Sequence, residues 1–494
     1  MKTRTISAAI ALIATFVMLG GQAMAQCPSG SACTEYLGQG KKGSFFRLLV
    51  PDAWDGDLFI INHGFDLDRL NIAPHHVCQN TNPLATKVQC TTDADCTGIS
   101  VEKCNEITLF GFEDIMIPDG KAIASTTYSE TGWSAFKSRK DLKDILKFMK
   151  KNPAIGKPTR VVVSGFSMGG AVTVDAIMRL KRGKDISGAV PLCPCSAGGG
   201  PSWDVATDFR LIYDNLCDSV QGAQFFSEPD VGESTTSELA MALKMDKCFG
   251  IFTSDPDPAK AAAQVQRRND FVTMTKFSGT VTGTSADLLQ VGGFVFLGMG
   301  DFVQDKKRLK GKRFGWNEGL DYSIIGTDPA LASAFDAVVP RLTPGKGRKK
   351  LSKNTFVSFL KGKGKKVDYP IMSFAGDQDY VCIPEFQKFF ADSAAEGGKA
   401  FQQVWGSTAG HCQYTPFELE AVVREYFDWL DGFDPANPAL NRPDGVSTEA
   451  RCLGLAGATA SDCNFDNTGF IPPALITRMP ARADWPGPAQ NPLP

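Results

Sequence analysis

The stretch Arg160-Val161-Val162-Val163-Ser164-Gly165-Phe166-Ser167-Met168-Gly169-Gly170 joins a short apolar run to a serine flanked by glycines. The three valines have the composition of a buried strand, and the residues from Met168 onward read as a helix. Between the two elements the spacing is G-x-S-x-G. That spacing suits a sharp strand-to-helix turn, because a residue held in a strained conformation there cannot tolerate bulky neighbours two positions away. Gly165 and Gly169 leave the room, which singles out Ser167 as a candidate nucleophile. A serine hydroxyl attacks poorly at neutral pH until a base removes its proton, so the turn demands a histidine oriented by a carboxylate elsewhere. The chain has four histidines, and His411 is the one that follows Ser167.

Upstream of this turn, residues 44–50 and 57–62 read as strands, the second running into His63-Gly64-Phe65, and residues 121–127 as a third. Residues 136–151 place Leu142, Ile145, Leu146 and Phe148 on one face of a basic amphipathic helix. A strand at 160–164, a helix from 168 to about 180 and a strand at 186–192 continue the alternation. Strands alternating with helices predict an α/β core: a mostly parallel sheet with helices on both faces. The first part of that core spans residues 26–193, interrupted by a cysteine-rich excursion at 71–106. Residues 194–366 break the pattern. An interval of that length is too long for a loop, so it is expected to be an inserted cap or lid. The core resumes over 367–432, with strands at 367–375 and 402–405 and a helix at 416–431. The tail, 433–494, is rich in proline and is expected to wrap the surface.

The strand at 367–375 runs into Gly376-Asp377-Gln378-Asp379, and His411 stands in Gly410-His411-Cys412 just after the last strand. Functional side chains in open α/β sheets gather at the carboxyl ends of strands, which suits a carboxylate in this turn. Serine, acid and histidine then follow in the chain order of one fold. With these motifs in that order, the chain resembles a secreted serine hydrolase of the α/β-hydrolase superfamily, esterase- or lipase-like, over residues 43–193 and 367–432. The resemblance implies an α/β-hydrolase fold and a Ser167, Asp379 and His411 triad. Asp379, three residues after Gly376, resembles the acid of that superfamily, and Asp377 is left to shape the turn. Asn62-His63-Gly64-Phe65 resembles the oxyanion segment of many esterases, which implies the N–H groups of Met168 and Phe65 as donors, with Gly64 the alternative to Phe65. His63 is read as a turn residue outside the triad. The implied reaction is two-step acyl transfer to water through an acyl-enzyme on Ser167, with no cofactor and no metal.

Composition narrows the partners. A formal net charge of −2 gives no general pull toward nucleic acid or anionic membrane, so the expected partner is a small-molecule or polymeric ester. Two basic stretches inside the insertion, 306–313 and 345–366, read as solvated loops rather than a polyanion dock. Lys2 and Arg4, the apolar run 6–19 and Ala23-Met24-Ala25 read as a signal peptide over 1–25, which predicts a secreted or periplasmic protein with no transmembrane segment after cleavage. Fourteen cysteines suit an oxidising compartment. They are read as disulfides in preference to zinc ligands, His75 and His76 standing beside only Cys78. The aspartates near Cys96 lack the regular spacing of a calcium loop. A bridge between Cys382 and Cys412 is expected to tie the acid and histidine loops together.

Three rival readings share these motifs. A peptidase resembling prolyl oligopeptidase uses the same triad, but its N-terminal propeller has no space between Gln26 and the first core strand. A polyester depolymerase or lipase needs no change of triad. A binding protein on the same fold would have lost a triad member, and here all three are present.

Overall fold

The computed structural model describes residues 27–28, 30–65, 77–78, 104–105, 107, 109–130, 132–180, 185–225, 228–231, 238–275, 285–304, 309–352, 369–396, 400–472, 479–480 and 482. Residues 1–25, read as a signal peptide, His75, His76 and the aspartates near Cys96 lie outside the described residues, as do parts of both basic stretches. Of the cysteine-rich excursion, the backbone of Val77–Cys78 pairs antiparallel with Cys104–Asn105.

The valine run forms a strand buried on both faces, as a fully apolar run in a parallel sheet should be. It is the fifth of eight strands in one sheet: β1 Cys33–Gln39, β2 Phe45–Pro51, β3 Asp57–Asn62, β4 Ala122–Thr126, β5 Arg160–Phe166, β6 Gly188–Leu192, β7 Ile371–Gln378 and β8 Phe401–Ala409. Their spatial order is β1-β2-β4-β3-β5-β6-β7-β8. Both pairings of β2 are antiparallel, and β4, β3, β5, β6, β7 and β8 run parallel. The expected mostly parallel sheet is therefore present, with one added edge strand, β1.

Helices cover both faces. On one side α1, Arg139–Lys151, buries Leu142, Ile145 and Met149 against the sheet, and α2, Met168–Arg179, starts at the serine. Each such aliphatic side chain removed from water contributes about 1.5–3 kcal/mol. On the other side the helix Pro416–Asp431 packs Val422, Tyr426 and Trp429 against Phe59, Ile61 and Val190. It begins at Pro416 because Thr415 and Glu418 close a capping box and proline needs no donor at the first helical position.

Between β6 and β7 the described residues are mostly helical. Helix α3, Gly199–Cys217, is followed by Glu238–Phe249, Pro258–Thr275 and Ser285–Gly292, then by a π-helical turn at Gly293–Gly298 that runs into Met299–Gln304. The buried side chains of this segment are continuous with the core under α1 and α2. The tail, expected to wrap the surface, is mostly exposed or half-buried over 433–472 and turns inward near its end. It forms a helix at Gly445–Leu453, and Met479 and Arg482 are fully buried. Arg482 makes a two-pronged ion pair with Asp208 of α3, at 2.5 and 2.6 Å, which ties the tail to the segment between β6 and β7. Among the described residues no helix is long and apolar enough to cross a membrane.

Candidate active site

Because β3, β5, β7 and β8 run parallel, their carboxyl ends share one edge of the sheet. That edge receives the loops that begin at His63, Ser167, Asp379 and Gly410. Ser167 itself sits at φ 55° and ψ −119°, a conformation that L-residues avoid, with its N–H donating to the Leu192 carbonyl at 3.1 Å. The glycines allow the crossing. A Cβ on Gly169 would stand 2.2 Å from the Asn62 carbonyl oxygen, and one on Gly165 2.6 Å from the Asn62 Cβ. Both contacts are shorter than side chains tolerate, so the G-x-S-x-G spacing is a steric requirement of this turn.

The structure brings Ser167, His411 and Asp379 together. His411 Nε2 lies 2.7 Å from Ser167 Oγ, and its Nδ1 lies 2.7 Å from Asp379 Oδ2. An ionised carboxylate only accepts, so Nδ1 must carry the proton and donate it to Asp379. In neutral imidazole that leaves the Nε2 lone pair facing the serine hydroxyl. Asp379 is fully buried and His411 nearly so, at 6% exposure, while Ser167 is half-buried. The other oxygen of Asp379 accepts the N–H groups of Val381 at 2.8 Å and Cys382 at 2.9 Å, which compensates the burial of its charge. Beside it, the buried hydroxyl of Tyr414 is held neutral: burial, then the carboxylates of Asp379 and Glu418, push its pKa well above the usual phenol value.

Asp377 stands apart from this chain of contacts. Its Oδ2 meets the hydroxyl of Ser407 at 3.4 Å, and burial, reinforced by the carboxylate of Asp466, pushes its pKa up to about 6.

The loop after β3 lies against the serine. A Cβ on Gly64 would meet Ser167 Cβ at 3.5 Å, and Oγ at 4.0 Å. The preceding residue is fixed by Tyr128, whose buried hydroxyl donates to the His63 carbonyl at 2.9 Å and whose ring stacks on the His63 ring at 4.2 Å. His63 Nδ1 is 2.8 Å from the Gly64 carbonyl. Phe65, next along, carries its ring to α3 and the π-helical turn: its centroid is 6.4 Å from Trp203, and a Cβ on Gly298 would touch its Cζ at 3.2 Å. Trp203 is in turn stacked between Phe294 and Phe302. Directly after the serine in the chain, Met168 supplies the first amide of α2, where helical N–H groups have no partner within the helix.

The expected bridge between Cys382 and Cys412 is corrected. Cys412 pairs with Cys193 and Cys382 with Cys195, both partners lying directly after β6. The two loops are linked through a third: the turn after β6 is bonded to the acid loop after β7 and to the histidine loop after β8. Cys193, His411 and Cys412 bring possible ligand atoms within 4.8 Å of one another, but both sulfurs are committed to the disulfide and leave no thiolate for a metal. Further pairs among the described residues are Cys27–Cys33, Cys217–Cys248 and Cys452–Cys463.

Tyr128, Trp203, Gly298 and the Cys193-Pro194-Cys195 pair escaped the sequence reading. Of these only the closely spaced cysteines at the end of a core strand carried a signal in the sequence.

No family model and no curated protein sequence matches the chain. Solved structures similar to it include an esterase of Pyrococcus furiosus, 11% identical, with 82% of this chain and 92% of that one covered and a TM-score of 0.37. An acylaminoacyl peptidase of Pyrococcus horikoshii is 10% identical over 83% of this chain and 45% of that one, with a TM-score of 0.38. A proline iminopeptidase of Mycobacterium smegmatis is 12% identical over 78% and 95%, with a TM-score of 0.36. The sheet order, the antiparallel second strand and the serine turn between β5 and α2 give this chain the α/β-hydrolase fold.

Proposed function

We propose that the chain is a secreted serine hydrolase that cleaves carboxylic esters through Ser167, His411 and Asp379. The observation that carries the reading is His411 bridging the serine and the buried aspartate, with 2.7 Å to each. His411 Nε2 takes the serine proton as Oγ adds to the ester carbonyl, and returns it to the departing alcohol. Asp379 holds the imidazole in the required tautomer and offsets the charge of the imidazolium. Water then attacks the acyl-enzyme by the same proton route. The tetrahedral oxyanion is received by the N–H of Met168 and by the loop at Gly64 and Phe65, each donor contributing about 3 kcal/mol to transition-state stabilisation. The proximity of Gly64 to Ser167 supports that loop as the second donor, with Phe65 the assigned residue.

Residues 194–366 are read as a cap. Its Trp203 and Gly298 touch Phe65, so it forms one wall of the acyl or alcohol pocket with an aromatic lining. The disulfides and the N-terminal segment support export from the cytoplasm. A panel of p-nitrophenyl esters run beside prolyl and aminoacyl peptide substrates tests the assignment. Turnover of esters with little peptide cleavage is expected. Peptide cleavage without esterase activity would make the chain a peptidase, and inactivity on both would favour a binding protein.

A further inference from the structure

We infer that Cys193, Cys195, Cys382 and Cys412 are positioning residues: two cystines, both hinged on the turn after β6, hold the acid and the base against the serine. The turn Leu192-Cys193-Pro194-Cys195 meets every member of the site. The Leu192 carbonyl accepts the Ser167 N–H at 3.1 Å, and the Cys195 N–H donates to the Ser167 carbonyl at 3.3 Å. Cys193 is bonded to Cys412, the residue after His411. Cys195 is bonded to Cys382, whose own N–H donates to Asp379 Oδ1 at 2.9 Å and whose sulfur lies 4.0 Å from Ser167 Oγ. The turn is anchored in its own right. Cys193 N–H donates to the Phe374 carbonyl of β7 at 2.7 Å, Ser196 Oγ to the Phe386 carbonyl at 2.7 Å, and the Gln387 amide to the Pro194 carbonyl.

The backbone carries a second, independent sign. Both halves of the Cys193–Cys412 cystine have positive φ, 36° and 58°, as does Ser167 at 55°. Non-glycine residues keep such conformations only where the surroundings over-determine them, and here the covalent link joins the two. Beside the cystine and the contacts of the His411 ring with Asp379 and Ser167, the backbone of the histidine loop makes a long contact from Gly410 N–H to the Gln378 carbonyl, 3.4 Å, and a local turn from Tyr414 N–H to the Cys412 carbonyl, 3.1 Å. Opening the cystine therefore frees His411 to drift from Ser167. Misplacing a reacting group by about 1 Å costs on the order of 100-fold in rate.

This inference rests on the proposed serine-hydrolase reading, and its test separates the two. The full chain is made as wild type, as the paired variants Cys193→Ala/Cys412→Ala and Cys195→Ala/Cys382→Ala, and as Cys27→Ala/Cys33→Ala, which removes a remote bridge at β1, the far edge of the sheet. Ester turnover, KM and the rate constant for fluorophosphonate labelling of Ser167 are measured with thermal unfolding. The two site pairs are expected to lose about 10- to 100-fold in kcat and labelling rate with KM little changed. The remote pair should lower thermal stability and leave both rates near wild type. Should a site pair fail to fold, the folded wild type is titrated with a thiol. External thiolate attacks Cys412 Sγ, the half-buried sulfur of the pair, and Cys193 departs as thiolate; a second thiol then releases Cys412. Peptide mapping of alkylated samples is expected to show activity falling with the opening of a site cystine, while the far-ultraviolet circular dichroism stays native, and returning on reoxidation. Native pairing other than Cys193–Cys412 and Cys195–Cys382, labelling of a site-pair variant as fast as wild type, or full activity after a site cystine is open overturns the inference. Absence of Ser167 labelling in oxidised wild type overturns the serine-hydrolase reading instead.

Discussion

Replacing Asp379 with asparagine removes one charge and leaves the shape of the site almost unaltered, so its cost reports the role of the acid. Oδ1 of Asp379 accepts two backbone N–H groups, from Val381 and Cys382, while Oδ2 faces His411 Nδ1 at 2.7 Å. An asparagine can keep the two backbone bonds only by placing its carbonyl oxygen there. Its NH2 group then faces the histidine. A donor there needs an acceptor at Nδ1, so the imidazole proton moves to Nε2, and Nε2–H points at Ser167 Oγ and cannot accept its proton. The opposite amide orientation sets NH2 against two N–H groups and forfeits both bonds, at about 1 kcal/mol each, more if the donors remain unsatisfied. The wrong tautomer is therefore selected. Loss of the orienting carboxylate costs about 10⁴ in kcat in triads of this geometry, equivalent to about 5 kcal/mol of barrier. Steady-state hydrolysis of p-nitrophenyl esters by Asp379→Asn should fall by that order with KM little altered, while Asp377→Asn, a change away from the His411 ring, stays within about threefold of wild type. Turnover of Asp379→Asn within tenfold of wild type, or a crippled Asp377→Asn, refutes the assignment of the acid.

Two further outcomes concern stability. Asp377, pushed up to about 6 by burial and by Asp466, is protonated more readily in the folded chain than in the unfolded one, so its ionisation opposes folding. The stability attributable to this group is greatest below about pH 4 and declines as pH rises to about 6. Asp377→Asn should thus gain on wild type between pH 4 and 7.5 in denaturant titrations, by no more than about 1 kcal/mol because the residue is half-exposed and screened. A growing disadvantage over that range contradicts it. Arg482→Met strands the buried carboxylate of Asp208 with Tyr322, at 2.6 Å, as its remaining partner and should cost about 3–5 kcal/mol. Adding Asp208→Leu removes the orphaned charge and should recover much of that loss; no recovery speaks against the ion pair as the link between the tail and α3.

The parts legible in the sequence are those in which local chemistry and tertiary role coincide. Val161, Val162 and Val163 are buried on both faces in β5, and an unbroken apolar run announces that. Ser167 is announced by its glycines because Asn62 lies within reach of any Cβ on them. Strand β1, Cys-Thr-Glu-Tyr-Leu-Gly-Gln, is half-buried at the sheet edge and shows no apolar alternation to read. The cystine pairing lay beyond the sequence because Cys193 and Cys195 are remote in the chain from Cys412 and Cys382, and only the adjacency of β6, β7 and β8 brings them together. The aromatic contact of Phe65 with Trp203 and Gly298 was hidden for the same reason, its partners belonging to a segment without core periodicity.

The central claim is that Ser167 is a nucleophile activated by His411. Its most direct test is incubation of the oxidised, folded chain with a fluorophosphonate probe, followed by intact-mass measurement and peptide mapping. The account predicts one adduct per chain, carried by Ser167, with none on Ser167→Ala and slow labelling of His411→Ala. A folded chain that takes up no probe, or takes it up on another residue, contradicts it.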